Sequence, residues 1–147
     1  MTVFAIKGFA PCDGDIWPDP NDVLVLGANE AKQDGVHLND RDTWISDWND
    51  SNDWISWDKV HFLDAGEYEV TIDGGGLRAD VPYRLTIGEK VLSGNAPAAP
   101  AWNKGVVFPV GKITIEKPGI YPVTLRAGAK ENWGGLQLFN VTLKHGQ

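Results

Sequence analysis

The chain has 147 residues and a mass of 16.1 kDa, the size of one domain. Thirteen Lys and Arg residues face twenty Asp and Glu residues, so the formal net charge is −7. Nucleic-acid binding and attachment to an anionic membrane surface both depend on clustered positive charge, so this balance argues against both. A single cysteine, Cys12, excludes an internal disulfide and a cysteine-based metal cluster.

Targeting signals give little information about the compartment. No stretch approaches the roughly 18 apolar residues of a membrane-spanning helix, and residues 1–9 lack the pattern of a signal peptide. An exported protein is often handled without its leader, so this pattern does not assign a cytoplasmic location.

The first predicted element in chain order is a short helix at 28–34. Alanine, glutamate and lysine in this segment favour helix, whereas Asn29 and Asp34 are weak helix formers, and Gly35 ends the segment. We therefore expect one or two helical turns at most.

Alternating apolar and polar residues predict strands along the rest of the chain. In 67–73, Tyr68, Val70 and Ile72 are separated by polar residues; 83–87, 113–115, 121–125 and 141–143 repeat the pattern, and a further strand begins at Trp54. Gly and Pro turn signals separate these runs at short spacing. The sequence therefore predicts an all-β fold, an antiparallel sandwich or barrel. Pro122, inside a predicted strand, indicates an edge strand or a bulge.

Four of the seven tryptophans fall in residues 44–57, around a polar, turn-forming loop at 49–53. One of Trp54 and Trp57 is expected to anchor the core, with Trp57 the preferred candidate. Trp48 lies among Asp and Asn residues and has two interpretations. It either contacts a ligand or packs beneath the loop. An exposed indole presents a flat apolar face to a sugar ring while amides and carboxylates bind the hydroxyls.

Three other tryptophans lie in predicted loops. Trp102, followed by Asn103, stands out in a segment of Pro and Ala residues at 97–105, so ligand contact and packing both remain open. Trp133 lies in a Gly-containing loop and is a weaker ligand candidate. Trp17, beside Pro18, is interpreted as a lid over the core.

Carboxylates that could take part in catalysis cluster in two places. The first cluster is Asp40 and Asp42, and the second is Asp47, Asp50 and Asp53. A paired-carboxylate glycosidase needs two carboxyl groups roughly 5–10 Å apart in a cleft. Solvated turn formers are the simpler interpretation. The three histidines lack metal-binding spacing, and no nucleophile elbow, P-loop or dinucleotide fingerprint occurs. We therefore expect no catalytic residues and no enzymatic activity.

The ordered segments resemble the jelly-roll carbohydrate-binding modules of families 6 and 35, a galactose-binding-like group attached to bacterial polysaccharide-degrading enzymes. The matching segments include LGANEA at 26–31, DWISW at 53–57, AGEYEV at 65–70, GIYPVTLRA at 119–127 and GLQLFNVTL at 135–143. The resemblance covers about residues 22–144. We therefore expect one antiparallel β-sandwich domain of jelly-roll type, with about eight to ten strands, over residues 1–147, in which 1–21 form an N-terminal extension or an extra strand.

The resemblance implies a non-catalytic module with a sugar cleft at one end of the sandwich, between the connecting loops. Trp48 and Trp102 correspond to two aromatic residues that hold a sugar ring, and Gln137 to an amide on the last strand. Trp133 and Asn103 are the further ligand-binding candidates. The implied partner is a polysaccharide or oligosaccharide. The implied setting is a monomeric module tethered to a catalytic domain in a longer parent chain, outside the cell or in the periplasm.

The resemblance also implies a structural Ca²⁺ held by an acidic pair near the first strand and an Asp on the last strand. Here the first pair reads Asn29-Glu30, and Phe139 occupies the last-strand position. Because a hard cation loses affinity when it loses carboxylates, the remaining expectation is a weak site that uses Glu30 with backbone carbonyls.

Two other functional classes remain open. One is a structural or protein-interaction β-sandwich of a larger glycan-processing enzyme, with a degenerate sugar cleft. It predicts an exposed apolar patch and no response to glycans. The other is a small hydrolase or lyase that uses the Asp-rich loop, and it predicts a carboxylate pair in a cleft.

Overall fold

The computed structural model describes residues 15–34, 37–38, 44–48, 50–101, 104–128, 133 and 135–146. These residues form two sheets that pack face to face. The strands are β1 Asp15–Ile16, β2 Val23–Gly27, β3 Lys32–Asp34, β4 His37–Leu38, β5 Ile45–Trp48, β6 Trp54–Phe62, β7 Gly66–Gly76, β8 Val81–Ile87, β9 Lys90–Ala96, β10 Val106–Ile115, β11 Gly119–Ala127 and β12 Leu136–His145. Within the described part of the chain, no helix has the length and apolar character needed to cross a membrane.

Sheet 1 has the order β1-β6-β11-β8-β9, and β3 also pairs with β6. Sheet 2 has the order β10-β7-β12-β5-β4, and β2 also pairs with β12. All the pairings are antiparallel except that of β1 with β6, which is parallel. The predicted all-β antiparallel sandwich is confirmed. The strands exceed the expected number because β1, β3 and β4 are too short to show alternation.

The expectation of at most one or two helical turns at 28–34 is confirmed, and the observed turn is shorter than the candidate segment. A single 3-10 turn spans Ala28–Glu30, and β3 follows at once and pairs with β6 at Trp54–Ser56. Ala28 is fully buried, so the turn is held by the core. Strand pairing has overridden a weak helical propensity.

Pro122 lies at a register shift between Tyr121 and Val123 on β11. Because β11 lies between β6 and β8, the bulge interpretation is confirmed and the edge interpretation is wrong. The carbonyl of Pro122 accepts a hydrogen bond of 2.9 Å from the Gly88 amide, so the irregular position still binds its neighbour.

The core lies between the two sheets. Trp57 is 1% exposed, and its Nε1 donates a hydrogen bond of 2.9 Å to the carbonyl of Gly27. Tyr68, Phe62, Leu85, Leu125 and Ile72 are among the other large buried side chains. A buried indole usually finds a hydrogen-bond partner, and the prediction that Trp57 anchors the core is confirmed.

Candidate functional site

Trp48, the first predicted ligand contact, is a core residue. It is 0% exposed, and its Nε1 donates a hydrogen bond of 3.2 Å to the carbonyl of Asp53. Trp48 ends β5 and pairs with Leu136 of β12, and the indole lies in the core cluster. The interpretation of Trp48 as an exposed platform is wrong, and the alternative, packing beneath the loop, is observed.

Trp133 packs over Trp48. The two rings meet edge to face with centroids 5.3 Å apart, and Trp133 Nε1 donates a hydrogen bond of 3.1 Å to the carbonyl of Trp48. Trp133 keeps part of its surface exposed. The structure therefore explains its packing, and its contact with a ligand stays a prediction.

Gln137 lies at the same end of β12 and is 2% exposed. Its Nε2 donates a hydrogen bond of 3.2 Å to the carbonyl of Ala101, whereas its Oε1 is buried without a hydrogen-bond partner among the described residues. Trp102 and Asn103 follow Ala101 but lie outside the described residues. The structure thus brings Trp48, Trp133 and Gln137 to one end of sheet 2, beside the segment that carries the other two candidates.

A different tryptophan lies on the outer face of sheet 1. Trp54 begins β6, and the guanidinium carbon of Arg126 lies 5.0 Å from the centroid of its ring. Strand register places Arg126 opposite Trp54 on one side and opposite Arg84 on the other. Both arginines are exposed, and Arg84 has no ion-pair partner among the residues that the structure describes.

A cleft of about 250 Å³ opens beside this group, and we call it the Trp54 cleft. Its lining residues are Ser51, Asn52, Asp53, Arg84, Arg126, Ala127 and Gly128. The lining therefore supplies hydroxyl, amide, carboxylate and guanidinium groups beside Trp54, which is not itself a lining residue. Such a mixture of hydrogen-bonding groups and an aromatic ring is typical of polar small-molecule sites.

A second aromatic group lies toward the other end of the same face. Trp17 is 59% exposed and stacks on His61, with centroids 3.6 Å apart and an interplanar angle of 15°. The lid interpretation of Trp17 is wrong because β1 pairs with Lys59 and Val60 at the edge of sheet 1. This pairing places the following Trp17 over His61 instead of over the core.

The register shift between β6 and β11 keeps the two aromatic groups on one face. Asp58 and Lys59 are consecutive and both exposed at this irregularity, so the alternation of inward and outward residues shifts by one position along β6. Trp54 and His61 therefore face the same way. Trp54 and His61 are seven residues apart, or roughly 23 Å at about 3.3 Å per residue. Thr124 of β11 and Thr86 of β8 pair with each other between them.

The predicted calcium site is incomplete in the described side chains. A Cβ on Gly27 would lie 2.8 Å from Asn29 Oδ1 and 3.1 Å from Glu30 Oε1, so both side chains turn back over Gly27. Phe139 stacks on Trp44 with centroids 5.4 Å apart and supplies no oxygen. One carboxylate and one amide do not fit an ion that takes about six to eight oxygen ligands, and Glu30 as a metal ligand stays a prediction.

No family model and no curated protein matches the sequence. Solved structures do match. A family 35 carbohydrate-binding module from Clostridium thermocellum has a TM-score of 0.69 and 17% identity, over 84% of this chain and 98% of that one. The second module of Cellvibrio mixtus lichenase 5A, solved with cellotriose, has a TM-score of 0.62 and 17% identity, over 84% and 97%. The chain has the fold of the family 6 and family 35 carbohydrate-binding modules.

A third likeness places this module fold inside a larger enzyme. The β-(1,4)-mannanase of Podospora anserina, which carries a family 35 module, matches with a TM-score of 0.65 and 13% identity. The alignment covers 85% of this chain and 28% of the mannanase. Identities at this level establish the fold, whereas a ligand has to be argued from the site.

On this carbohydrate-binding module fold, sequence reasoning missed Arg84 and Arg126. Their positions between apolar residues of β8 and β11 predict exposure on the wet face. Nothing in the sequence shows that β8 and β11 are neighbours in register, and this pairing is what brings the arginines to Trp54.

Proposed function

We propose that the chain is a non-catalytic carbohydrate-binding module that binds a glycan on the outer face of sheet 1. The observation that carries this proposal is the Trp54 cleft, where an indole and two arginines lie beside hydroxyl and amide groups. The fold supports it, since the matched structures include carbohydrate-binding modules, one of them solved with cellotriose.

The cleft has the size for one sugar residue. Its volume of about 250 Å³ lies just below the roughly 300–1,000 Å³ of typical small-molecule sites. Trp54 is not a lining residue, and its ring lies against the Arg126 guanidinium, so it would contact a sugar from beside the cleft. Ser51 and Asn52 offer polar groups to the hydroxyls of the sugar. Arg126 lies over the same indole, so it fixes the ring and donates hydrogen bonds beside it.

The same face accommodates an extended chain better than a single sugar. Trp17 exposes its ring beyond the paired threonines, roughly 23 Å from Trp54. A glycan that reaches both aromatic groups gains from two linked contacts, because the second contact forms at high effective concentration. We therefore expect long oligosaccharides to bind more tightly than monosaccharides.

The arginines give the surface a preference for acidic glycans. Arg84 and Arg126 are neighbours in register on a chain of net charge −7. A guanidinium group binds a carboxylate or sulfate through paired hydrogen bonds, which neutral sugars do not match. Polysaccharides that carry uronate or sulfate groups are therefore the expected ligands.

The end of sheet 2 is a second candidate surface, as the sequence predicts. Buried Gln137, beside Ala101, favours it, because its Oε1 has no hydrogen-bond partner among the described residues. In this version, Trp102, Asn103 and Trp133 would contact the sugar together with the Gln137 amide. Substitution distinguishes the two surfaces, because Trp54→Ala alters only the one on the outer face of sheet 1.

The proposed setting is that of a monomeric targeting module tethered to a catalytic domain outside the cell or in the periplasm. The embedded module of the mannanase supports tethering. Tethering raises the local concentration of substrate around a linked catalytic site. Function as a structural domain that binds no glycan is the alternative.

The test is a binding screen of the full chain against neutral, uronate-containing and sulfated polysaccharides, followed by titration of the best oligosaccharide. Selective binding that quenches tryptophan fluorescence, is weakened by Trp54→Ala and is weakened less by Trp54→Phe supports the proposal. A folded chain that binds no glycan contradicts it and favours the structural alternative. Binding that Trp54→Ala leaves unchanged and Gln137→Ala abolishes moves the site to sheet 2.

A further inference from the structure

Three metal-ligating side chains from separate segments meet at the opposite end of the sandwich. Asp22 precedes β2, Asp64 lies between β6 and β7, and His145 ends β12. One ligand atom from each lies within 4.8 Å of the others. We propose that Asp22, Asp64 and His145 form a binding site for a first-row divalent metal ion of the Zn²⁺ type, called here the Asp22 site.

The hydrogen bonding of His145 orients a lone pair into this cluster. His145 Nε2 lies 2.9 Å from the carbonyl oxygen of Ala65, which only accepts hydrogen bonds, so Nε2 carries the proton. In the neutral ring Nδ1 is then an acceptor, yet it lies 3.0 Å from Oδ2 of Asp22. Two acceptors at this distance need a cation or a proton between them. A ligating histidine usually donates its other N–H to a carbonyl in this way.

The backbone holds Asp22 against His145. The amide of His145 donates a hydrogen bond of 3.3 Å to the carbonyl of Asp22, and the amide of Asp22 donates one of 2.9 Å to the carbonyl of Asp19. The Asp64 carboxyl lies beside that of Asp22, with a ligand oxygen of each within 4.8 Å of the other. A bound cation would relieve the repulsion between the two carboxylates.

The donor set selects the class of metal. Imidazole suits Zn²⁺ and its first-row neighbours, whereas Ca²⁺ prefers a shell made of oxygen atoms. Two carboxylate oxygens and one imidazole nitrogen leave a fourth tetrahedral position for water. Asp22 and His145 are partly buried and Asp64 is exposed, so an ion has access from solvent.

The position indicates a structural role. Asp64 lies just beyond the end of β6, and Trp54 begins that strand, so the Asp22 site and the Trp54 cleft are roughly 26 Å apart or more. A metal here would join the segment before β2, the β6–β7 loop and the last strand. Since it would bind only the folded chain, it would raise the melting temperature.

Calorimetric titration of the full chain with ZnCl₂, with CaCl₂ in a parallel arm, tests the proposal. We expect one Zn²⁺ per chain, no comparable Ca²⁺ binding, and a Zn²⁺-dependent rise in melting temperature. Asp64→Asn and His145→Gln should each weaken Zn²⁺ binding by at least about tenfold. Asp58→Asn removes an exposed carboxylate at another place and serves as the control.

Asp64→Asn keeps the test valid if His145→Gln fails to fold, because the Asp64 side chain is exposed and its carbonyl contact with Tyr68 remains. Co²⁺ substitution gives a second readout, since visible absorption bands report nitrogen and oxygen ligands. The proposal is overturned by absence of saturable Zn²⁺ binding, which leaves a proton-bridged cluster, or by equal affinity in Asp64→Asn. Glycan titration with and without chelator is a separate readout, which this proposal predicts to be unchanged.

Discussion

Trp48 and Trp54 stand at the two sides of one turn, and the structure uses them in opposite ways. Trp48 ends a strand of sheet 2 and is 0% exposed, whereas Trp54 begins a strand of sheet 1 and lies on its outer face beneath Arg126. Both are large apolar rings flanked by Asp or Asn. Composition around a tryptophan therefore does not decide whether it serves stability or binding.

The difference comes from strand direction at the turn. As the chain crosses from sheet 2 to sheet 1, Trp48 points between the sheets and its indole N–H bridges back to the carbonyl of Asp53. Trp54 follows Asp53 directly and alternates with the buried Ile55, so it points outward. The Trp48 region thus holds the turn in place, whereas the Trp54 region exposes side chains to solvent.

Replacement of Trp48 should have the largest effect and should act on stability. Trp48→Ala leaves a cavity in the core and removes the hydrogen bond to Asp53, so we expect a loss of about 3–5 kcal/mol in the free energy of unfolding. Trp54→Ala should cost less, about 1 kcal/mol, because the ring is half-buried. Urea unfolding followed by circular dichroism measures both, and equal losses would show that the two regions are not distinct.

Replacement of Trp54 should have the next largest effect and should act on binding. If Trp54 is a central contact, Trp54→Ala should weaken glycan affinity by about 2 kcal/mol, or roughly 30-fold. Trp54→Phe keeps an aromatic face and should recover part of the loss. Isothermal titration with the best oligosaccharide gives both values. Identical affinities of the wild type and Trp54→Ala would show that the Trp54 cleft is not part of the glycan-binding site.

The strands of this fold can be predicted from the sequence, whereas the contacts that depend on which strands pair, and in which register, cannot. The alternation at 67–73, 83–87, 121–125 and 141–143 predicts strands that the structure contains, because one buried face imposes period two. The fold class follows from these runs and their turns. The resemblance to family 6 and family 35 modules agrees with the matched structures.

The candidate surface is less readable for a physical reason. Arg126 reaches Trp54 only because β11 pairs with β6 in one register, and Trp17 reaches His61 only because β1 pairs with the edge of the sheet. These contacts join residues more than forty positions apart. Local pattern carries no information about such pairings, so the sequence predicts a lid for Trp17 and leaves ligand contact and packing both open for Trp48.

Gln137 distinguishes the two surfaces with a smaller effect. Gln137→Met keeps the shape of the side chain but removes two features. One is the hydrogen bond from Nε2 to the carbonyl of Ala101, and the other is an Oε1 that has no partner in the described part of the chain. Because removal of an unsatisfied buried group offsets loss of one hydrogen bond, we expect a stability change within about 1 kcal/mol. If the site lies on sheet 1, glycan affinity should not change. A stable variant with tenfold weaker binding would instead favour the sheet 2 surface.

The smallest expected effect separates the two faces of β8, where Tyr83 points into the core beside the outward Arg84. Burial raises the pKa of Tyr83 above 10.0 in the folded chain. Its stabilising contribution is therefore complete below pH 10 and is lost as the pH rises toward the pKa of the folded state.

Tyr83→Phe removes this titration. The free energy of unfolding, measured by urea titration, should therefore fall less between about pH 9 and 11 in the variant than in the wild type. The difference is at most one proton's worth of slope, about 1.4 kcal/mol per pH unit. Some decline should remain, because burial also raises the pKa of Tyr68 to about 12. Parallel profiles for the wild type and Tyr83→Phe would mean that the inner face of β8 opens to solvent before its tyrosine ionises.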